Sequence, residues 1–163
     1  MRMGVKAIIW SFLVLWLSAC SASNQDKVDN LPEVSILAAD RFCGNKSGVS
    51  LITSPQQDAS LPMVVNQTLA NAKLDWSKFQ ILRINMGQQP NMGYSLGYQG
   101  GAKVIGSVLI IPVQWNRPQP GMMYAQMLVE PCLLLSIPRQ VYERIQVIDQ
   151  DGRTRWTLSD LNQ

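Results

Sequence analysis

From residue 79 onward the chain runs in short apolar stretches broken by Gly, Pro and Asp-Gly, and this punctuation limits it to strands joined by turns. In residues 79–86, Leu82, Ile84 and Met86 fall on one face, with Arg83 and Asn85 on the other. This is half-buried, period-two alternation. Residues 92–98 and 103–111 flank Gln99-Gly100-Gly101-Ala102. Gly-Gly supplies the positive φ of a tight hairpin, so these two strands are expected to pair antiparallel. Residues 104–111 are almost continuously apolar, as in a central strand covered on both faces. Residues 123–130 and 132–137 read as further strands, with Pro131 at a bulge or edge. Residues 145–148 and 153–158 flank Asp149-Gln150-Asp151-Gly152, a second hairpin signal.

Upstream, residues 34–39 suit a strand or a helical turn, and residues 49–52 a short strand. One helix is expected over residues 61–73, with Ser60 as N-cap and Pro62 in its first turn. Met63, Leu69 and Ala70 would share its apolar face, with Asn66 and Lys73 on the wet side. The expectation is a mainly β fold: an antiparallel β-sandwich or barrel-like domain of about seven strands and one short helix, covering residues 33–163.

The N-terminus carries an address. Arg2 and Lys6 precede an apolar run over residues 7–17, too short to span a membrane, which takes roughly 20 residues. The run ends in Leu17-Ser18-Ala19-Cys20, which resembles the bacterial lipobox. That resemblance implies a signal peptide over residues 1–19 and a mature chain that begins at Cys20. It also implies three acyl chains there, palmitate among them, enough for stable anchoring. Residues 20–32 would form a polar, lipid-anchored tether. Ser21 stands where Asp would signal retention in the inner membrane, so the implied location is the periplasmic face of a Gram-negative outer membrane.

Composition narrows the chemistry. Histidine is absent, which removes Ser-His-Asp and Cys-His catalysis and every His metal site. Removing Arg2 and Lys6 from the 14 basic residues leaves 12 against 11 acidic, so no basic field draws nucleic acid. Cys43 and Cys132 remain as a pair that an oxidising compartment would bridge, the alternative being two buried thiols. A bridge closing about 90 residues would contribute on the order of 4–5 kcal/mol in the chain-entropy account.

Other constellations are plainer. The segment Tyr94-Ser95-Leu96-Gly97-Tyr98-Gln99-Gly100-Gly101 lacks the Lys-Ser/Thr of a phosphate loop. Asp149-x-Asp151-Gly152 lacks the further ligands of a calcium loop and reads as a turn. Serine–lysine catalysis would need a buried lysine, and Lys46, Lys73, Lys78 and Lys103 all sit in polar contexts. No catalytic residue, cofactor site or metal site is expected. Trp115-Asn116-Arg117-Pro118-Gln119-Pro120-Gly121 supports two readings. Trp115, Arg117, Pro118 and Pro120 could form a stiff recognition loop, since Trp and Arg are enriched at interface hot spots. Alternatively, Trp115 caps the core and the prolines shape a loop.

One ordered block remains. It comprises Asp75-Trp76-Ser77-Lys78, Met86-Gly87, Pro90-Asn91-Met92-Gly93-Tyr94-Ser95, the strand over residues 104–111, Pro118-Gln119-Pro120-Gly121, Gln126, Pro131 and Ile137-Pro138. The block resembles the C-terminal domain of the PrcB-type protease-complex subunits, which are bacterial lipoproteins. The resemblance covers residues 75–138 and implies a strand starting at Gly93-Tyr94-Ser95 and a Pro-Gly loop leading into the next. It also implies a non-enzymatic module that accompanies a protease. Cys43, Cys132 and the longer N-terminal region depart from the pattern, so partner identity does not carry over. The expected function is a periplasmic protein-binding module anchored to the membrane by lipid, with a protease as candidate partner. The rival is a carrier holding a small apolar ligand in a sandwich cleft lined by Met and Tyr.

Overall fold

The longest strand, β6 (Val108–Asn116), organises the molecule, and its burial alternates residue by residue along its whole length. Leu109, Ile111, Val113 and Trp115 point inward, as the two-residue period of a strand requires. A computed structural model describes residues 32–56, 60–159 and 161. The signal peptide, Cys20 and the tether as far as residue 31 lie outside the described residues.

Nine strands and one helix are present among the described residues. The first sheet is wholly antiparallel, ordered β1 (Ser35–Asp40), β7 (Cys132–Pro138), β3 (Phe79–Asn85), β2 (Gly48–Ile52). The second is ordered β4 (Ser95–Tyr98), β6, β8 (Arg144–Ile148), β9 (Thr154–Ser159), with β5 (Lys103–Ile105) also on β6. Leu82, Ile84, Leu133 and Leu135 of the first sheet meet Leu109, Ile111, Ile145 and Val147 of the second, all fully buried. On the outer face of the first sheet, helix α1 (Met63–Asn71) packs Val65 and Leu69 against Ile81 and Leu134. The fold is therefore the mainly β sandwich expected, with one short helix covering a flank.

Several local expectations are corrected. Residues 104–111 are not one strand: Gly106, at φ +60°, and Ser107 form a two-residue turn that folds β5 back on β6, pairing Ile105 with Val108. Gly100 and Gly101 make no hairpin. They bend the chain between β4 and β5, which lie end to end along one edge of β6. Residues 123–130 form no strand, because their neighbours across the gap are loop backbone offering only isolated bridges, Gln89 to Val129 and Phe42 to Glu130. Strands β6 and β8 pair in parallel. The N-cap of α1 is Pro62, not Ser60, and no side-chain cap bond is made. Its buried face is the i, i+4 pair Val65 and Leu69, whereas Met63 is 75% exposed and Ala70 is exposed. The expected polar face of β3 is also covered, with Asn85 only 2% exposed.

The Cys43–Cys132 disulfide is present, with Cα atoms 5.8 Å apart. It joins the loop after β1 to the start of β7, and both cysteines are fully buried. Asn85 reinforces this corner. Its Nδ2 donates to the Cys43 and Gly44 carbonyls at 3.0 and 2.8 Å, and its Oδ1 accepts the Gly87 N–H at 2.8 Å. A buried amide with its groups satisfied in this way specifies one loop position.

The sandwich has two distinct ends. Ser35 pairs with Ser136 and Asp40 with Cys132, so the chain enters β1 at the end where β7 finishes. The connection from β6 to β7 lies at the opposite end, together with the β8–β9 hairpin.

Candidate functional site

Residues 117–128 join β6 to β7 without regular structure, yet they are held firmly. Gln119-Pro120-Gly121-Met122 is a tight turn: the Met122 N–H donates to the Gln119 carbonyl at 3.3 Å, and Gly121 takes φ +79°. Pro followed by a left-handed Gly is the type II pattern. The Gln119 N–H donates to the Tyr124 hydroxyl at 3.1 Å, closing the loop base. The Met92 N–H donates to the Ala125 carbonyl at 3.1 Å, and Gln89 and Val129 exchange two bonds of 2.7 and 3.0 Å.

Gly93 lets this latch close. A Cβ there would lie 2.9 Å from Pro118 Cγ, 3.0 Å from Tyr124 Cδ1 and 3.1 Å from Asn91 Oδ1. Two separate pieces of the resembling block, around Gly93 and Pro118, thus meet in space. Its first and last pieces meet at the other end of the sandwich, where the Arg139 N–H donates to the Lys78 carbonyl at 2.6 Å.

What the latched loop presents is apolar. Met122 is 62% exposed, Met123 97%, Met127 43% and Leu128 59%. Single exposed apolar side chains are ordinary, but four within seven residues on a fixed backbone make a patch. Arg117, Gln119 and Pro120 are exposed beside them, and Pro118 is half-buried against Gly93.

Of the two readings of Trp115, the structure has the one in which it caps the core, apart from the loop that follows it. It belongs to β6, is 8% exposed and packs in the inter-sheet core. Its N–H donates to Gln150 Oε1 at 2.9 Å, and its carbonyl accepts from Gln150 Nε2 at 3.3 Å. The β6–β8 ladder stops at Pro112 and Ile148, and the Gln150 side chain supplies the next rung. The Arg155 guanidinium lies 5.2 Å from the Trp115 ring centroid. Arg155 is held in turn by Asp149 Oδ2, through Nε at 2.7 Å and Nη2 at 2.5 Å. Asp149 Oδ1 accepts the Asp151 and Arg153 N–H groups, each at 2.9 Å. Against the cost of burial, the backbone bond from Arg153 and the bonds and charge of Arg155 hold the Asp149 carboxyl below its ordinary value. The Asp-Gly segment is thus a turn whose carboxylate is fully used.

Arg117, Arg153 and Arg155 line one polar cleft of about 310 Å³, with Gln114, Asn116, Gln119 and Gln150 around them. The sequence reading named only Arg117 of these three, and it missed the methionines. A Met pair directly after a Pro-Gly turn and an Arg-x-Arg at the entry to the last strand were the available signals.

Two other clefts among the described residues lie away from this loop. One, of about 560 Å³, runs between β1 and α1 past Ile36, Leu37, Val64 and Lys73. The other, of about 440 Å³, includes Lys46, Ser47 and Arg83. Arg83 donates to the Cys43 carbonyl at 2.5 Å, and burial lowers its pKa. Neither cleft is lined by Met or Tyr, and the space between the sheets is filled by core side chains. Lys46, Lys73, Lys78 and Lys103 are all exposed.

No protein-family model, no curated protein and no solved structure matches this chain.

Proposed function

We propose that this chain is a non-enzymatic lipoprotein, anchored through Cys20 to the periplasmic face of the outer membrane, that binds another periplasmic protein through its β6–β7 loop. The observation that carries the reading is the exposure of Met122, Met123, Met127 and Leu128 on a loop latched at Tyr124, Ala125 and Val129. Binding to a partner costs less when the loop is already ordered, and methionine side chains adapt to the surface they meet. The end-to-end arrangement fits the same reading. β1 begins at the opposite end of the domain from this loop. The resemblance to the PrcB-type subunits makes a protease complex the first partner to examine.

A photo-crosslinking residue placed at Met123 in intact cells tests the proposal. Val141, 83% exposed at the other end of the sandwich, is the control position. A discrete protein adduct from position 123 and none from position 141 is expected. The same adducts from both positions, or none from 123, would overturn the reading.

A further inference from the structure

We infer that the arginine cleft beside the methionine turn is a carboxylate site that receives an acidic segment of the partner polypeptide, an inference that rests on the protein-binding reading above. Three guanidinium groups line the cleft, Arg117, Arg153 and Arg155, against one lining carboxylate, Asp151. Arg155 is already neutralised by Asp149. Arg117 and Arg153 are exposed, and among the described residues neither has a carboxylate within ion-pair distance. The cleft therefore keeps an excess of positive charge that an incoming anion would complete.

The lining selects a peptide carboxylate. A guanidinium offers its donors as a planar fork that matches two carboxylate oxygens. The remaining wall is amide, and it is held in order by a chain of bonds. Gln99 Nε2 donates to Gln114 Oε1 at 2.7 Å, Gln114 Nε2 to Asn116 Oδ1 at 3.0 Å, and Asn116 Nδ2 to Ser95 Oγ at 2.9 Å. Such a wall matches a polypeptide backbone, which presents one donor and one acceptor per residue. Single-stranded nucleic acid would call for exposed aromatic rings on which bases stack. The ring lining this cleft is Trp115, which is buried and covered by Arg155.

Cleft and apolar patch are one surface. Gln119 lines the cleft, and its carbonyl accepts the Met122 N–H. An acidic residue seated at Arg117 and Arg153 would therefore bring its apolar neighbour onto Met122. Arg155 is fixed in advance by Asp149 and Trp115, so the ordering that binding requires falls on Arg117 and Arg153.

The test is an NMR titration of the full chain with two synthetic peptides, Ac-Gly-Leu-Glu-Glu-Leu-Gly-amide and its Gln-Gln counterpart, and with inorganic phosphate. The acidic peptide should shift the Nε–H signals of Arg117 and Arg153 and the methyl signals of Met122 and Met123 together. The Gln-Gln peptide should bind at least about tenfold more weakly, as should the acidic peptide to the Arg117→Gln/Arg153→Gln protein. Both arginines are exposed, and an unchanged melting temperature will show that the variant is folded. Equal binding of the two peptides would overturn the inference, as would phosphate binding as tightly as the acidic peptide. The crosslink at Met123 separates the two proposals. An adduct that survives Arg117→Gln/Arg153→Gln refutes the carboxylate site and leaves the binding module standing. Peptide binding without any adduct leaves the cleft and refutes the module.

Discussion

Asp149→Asn isolates the pair that fixes the distal hairpin. The wild-type carboxylate accepts three hydrogen bonds, from two backbone N–H groups on Oδ1 and from Arg155 Nε on Oδ2, and Arg155 Nη2 completes the ion pair at Oδ2. Asparagine keeps an oxygen for the backbone pair but turns an NH₂ group toward a guanidinium, donor against donor. Hydrogen bonds to charged groups contribute about 1.5–3 kcal/mol each, and breaking a buried pair costs about 3–5 kcal/mol. Arg155 is 20% exposed and recovers part of its hydration, so a loss of about 2–4 kcal/mol is expected. Urea unfolding at neutral pH with the disulfide intact reads this as a midpoint about 1–2 M lower. The pH dependence has a definite sign. The folded-state pKa of Asp149 is depressed, so its contribution is complete above the unfolded value near 3.8 and disappears as pH falls through the folded value. The variant and the wild type should therefore converge in acid. A variant within about 0.5 kcal/mol of wild type at neutral pH, or a difference that pH does not move, would refute the argument.

Cys43→Ser, Cys132→Ser and the double variant should lose similar stability, up to about 4–5 kcal/mol, because one bond is lost in each case; non-reducing peptide mapping of the wild type should yield the linked pair. Gly93→Ala should cost about 1–3 kcal/mol and shift the Met122 and Met123 methyl signals, since its Cβ meets Pro118, Tyr124 and Asn91; an unchanged melting temperature would remove the latch from the argument. Trp115→Ala should cost about 3–5 kcal/mol of fold stability, measured by denaturant titration, whereas Arg117→Ala should leave stability within about 0.5 kcal/mol. Cys20→Ala should abolish incorporation of a labelled fatty acid and leave an unprocessed precursor; continued labelling would refute the lipid anchor.

How far the sequence revealed this molecule depended on whether the deciding contacts were local. The β8–β9 hairpin was legible because Asp149 and Gly152 make their own turn. β3 and β7 were legible because runs such as Leu133-Leu134-Leu135 remain apolar whichever sheet they join. Where neighbours decided, the reading failed. Val104-Ile105-Gly106-Ser107-Val108 differs from a continuous strand only by two small residues, and Gly100-Gly101 nearby offered a stronger turn signal. Met122, Met123, Met127 and Leu128 carry the apolarity of a strand, but among the described residues no strand lies alongside to pair with them. Arg83 and Asn85 resemble a wet face until the Cys43 loop folds over them. Of the candidate loop, the Pro-Gly geometry was accessible from local rules. The convergence of Arg117 with Arg153 and Arg155 was not, because β6 and β9 meet only through the parallel strand β8 between them.

The first sheet also sets an order of events while the chain is being made. Among the described residues β1 has one sheet neighbour, β7, and its partner residues lie 92 to 101 positions downstream. A chain synthesised from its N-terminus delivers β1, β2 and β3 long before that neighbour. β2 and β3 can zip together on arrival, but β1 must wait, with Cys43 exposed and nothing yet to bridge to. The final third of the polypeptide therefore governs when the first strand is sheltered. Until then, the growing chain presents an unpaired strand edge and an unbridged Cys43 together, and the arrival of β7 removes both at one stroke.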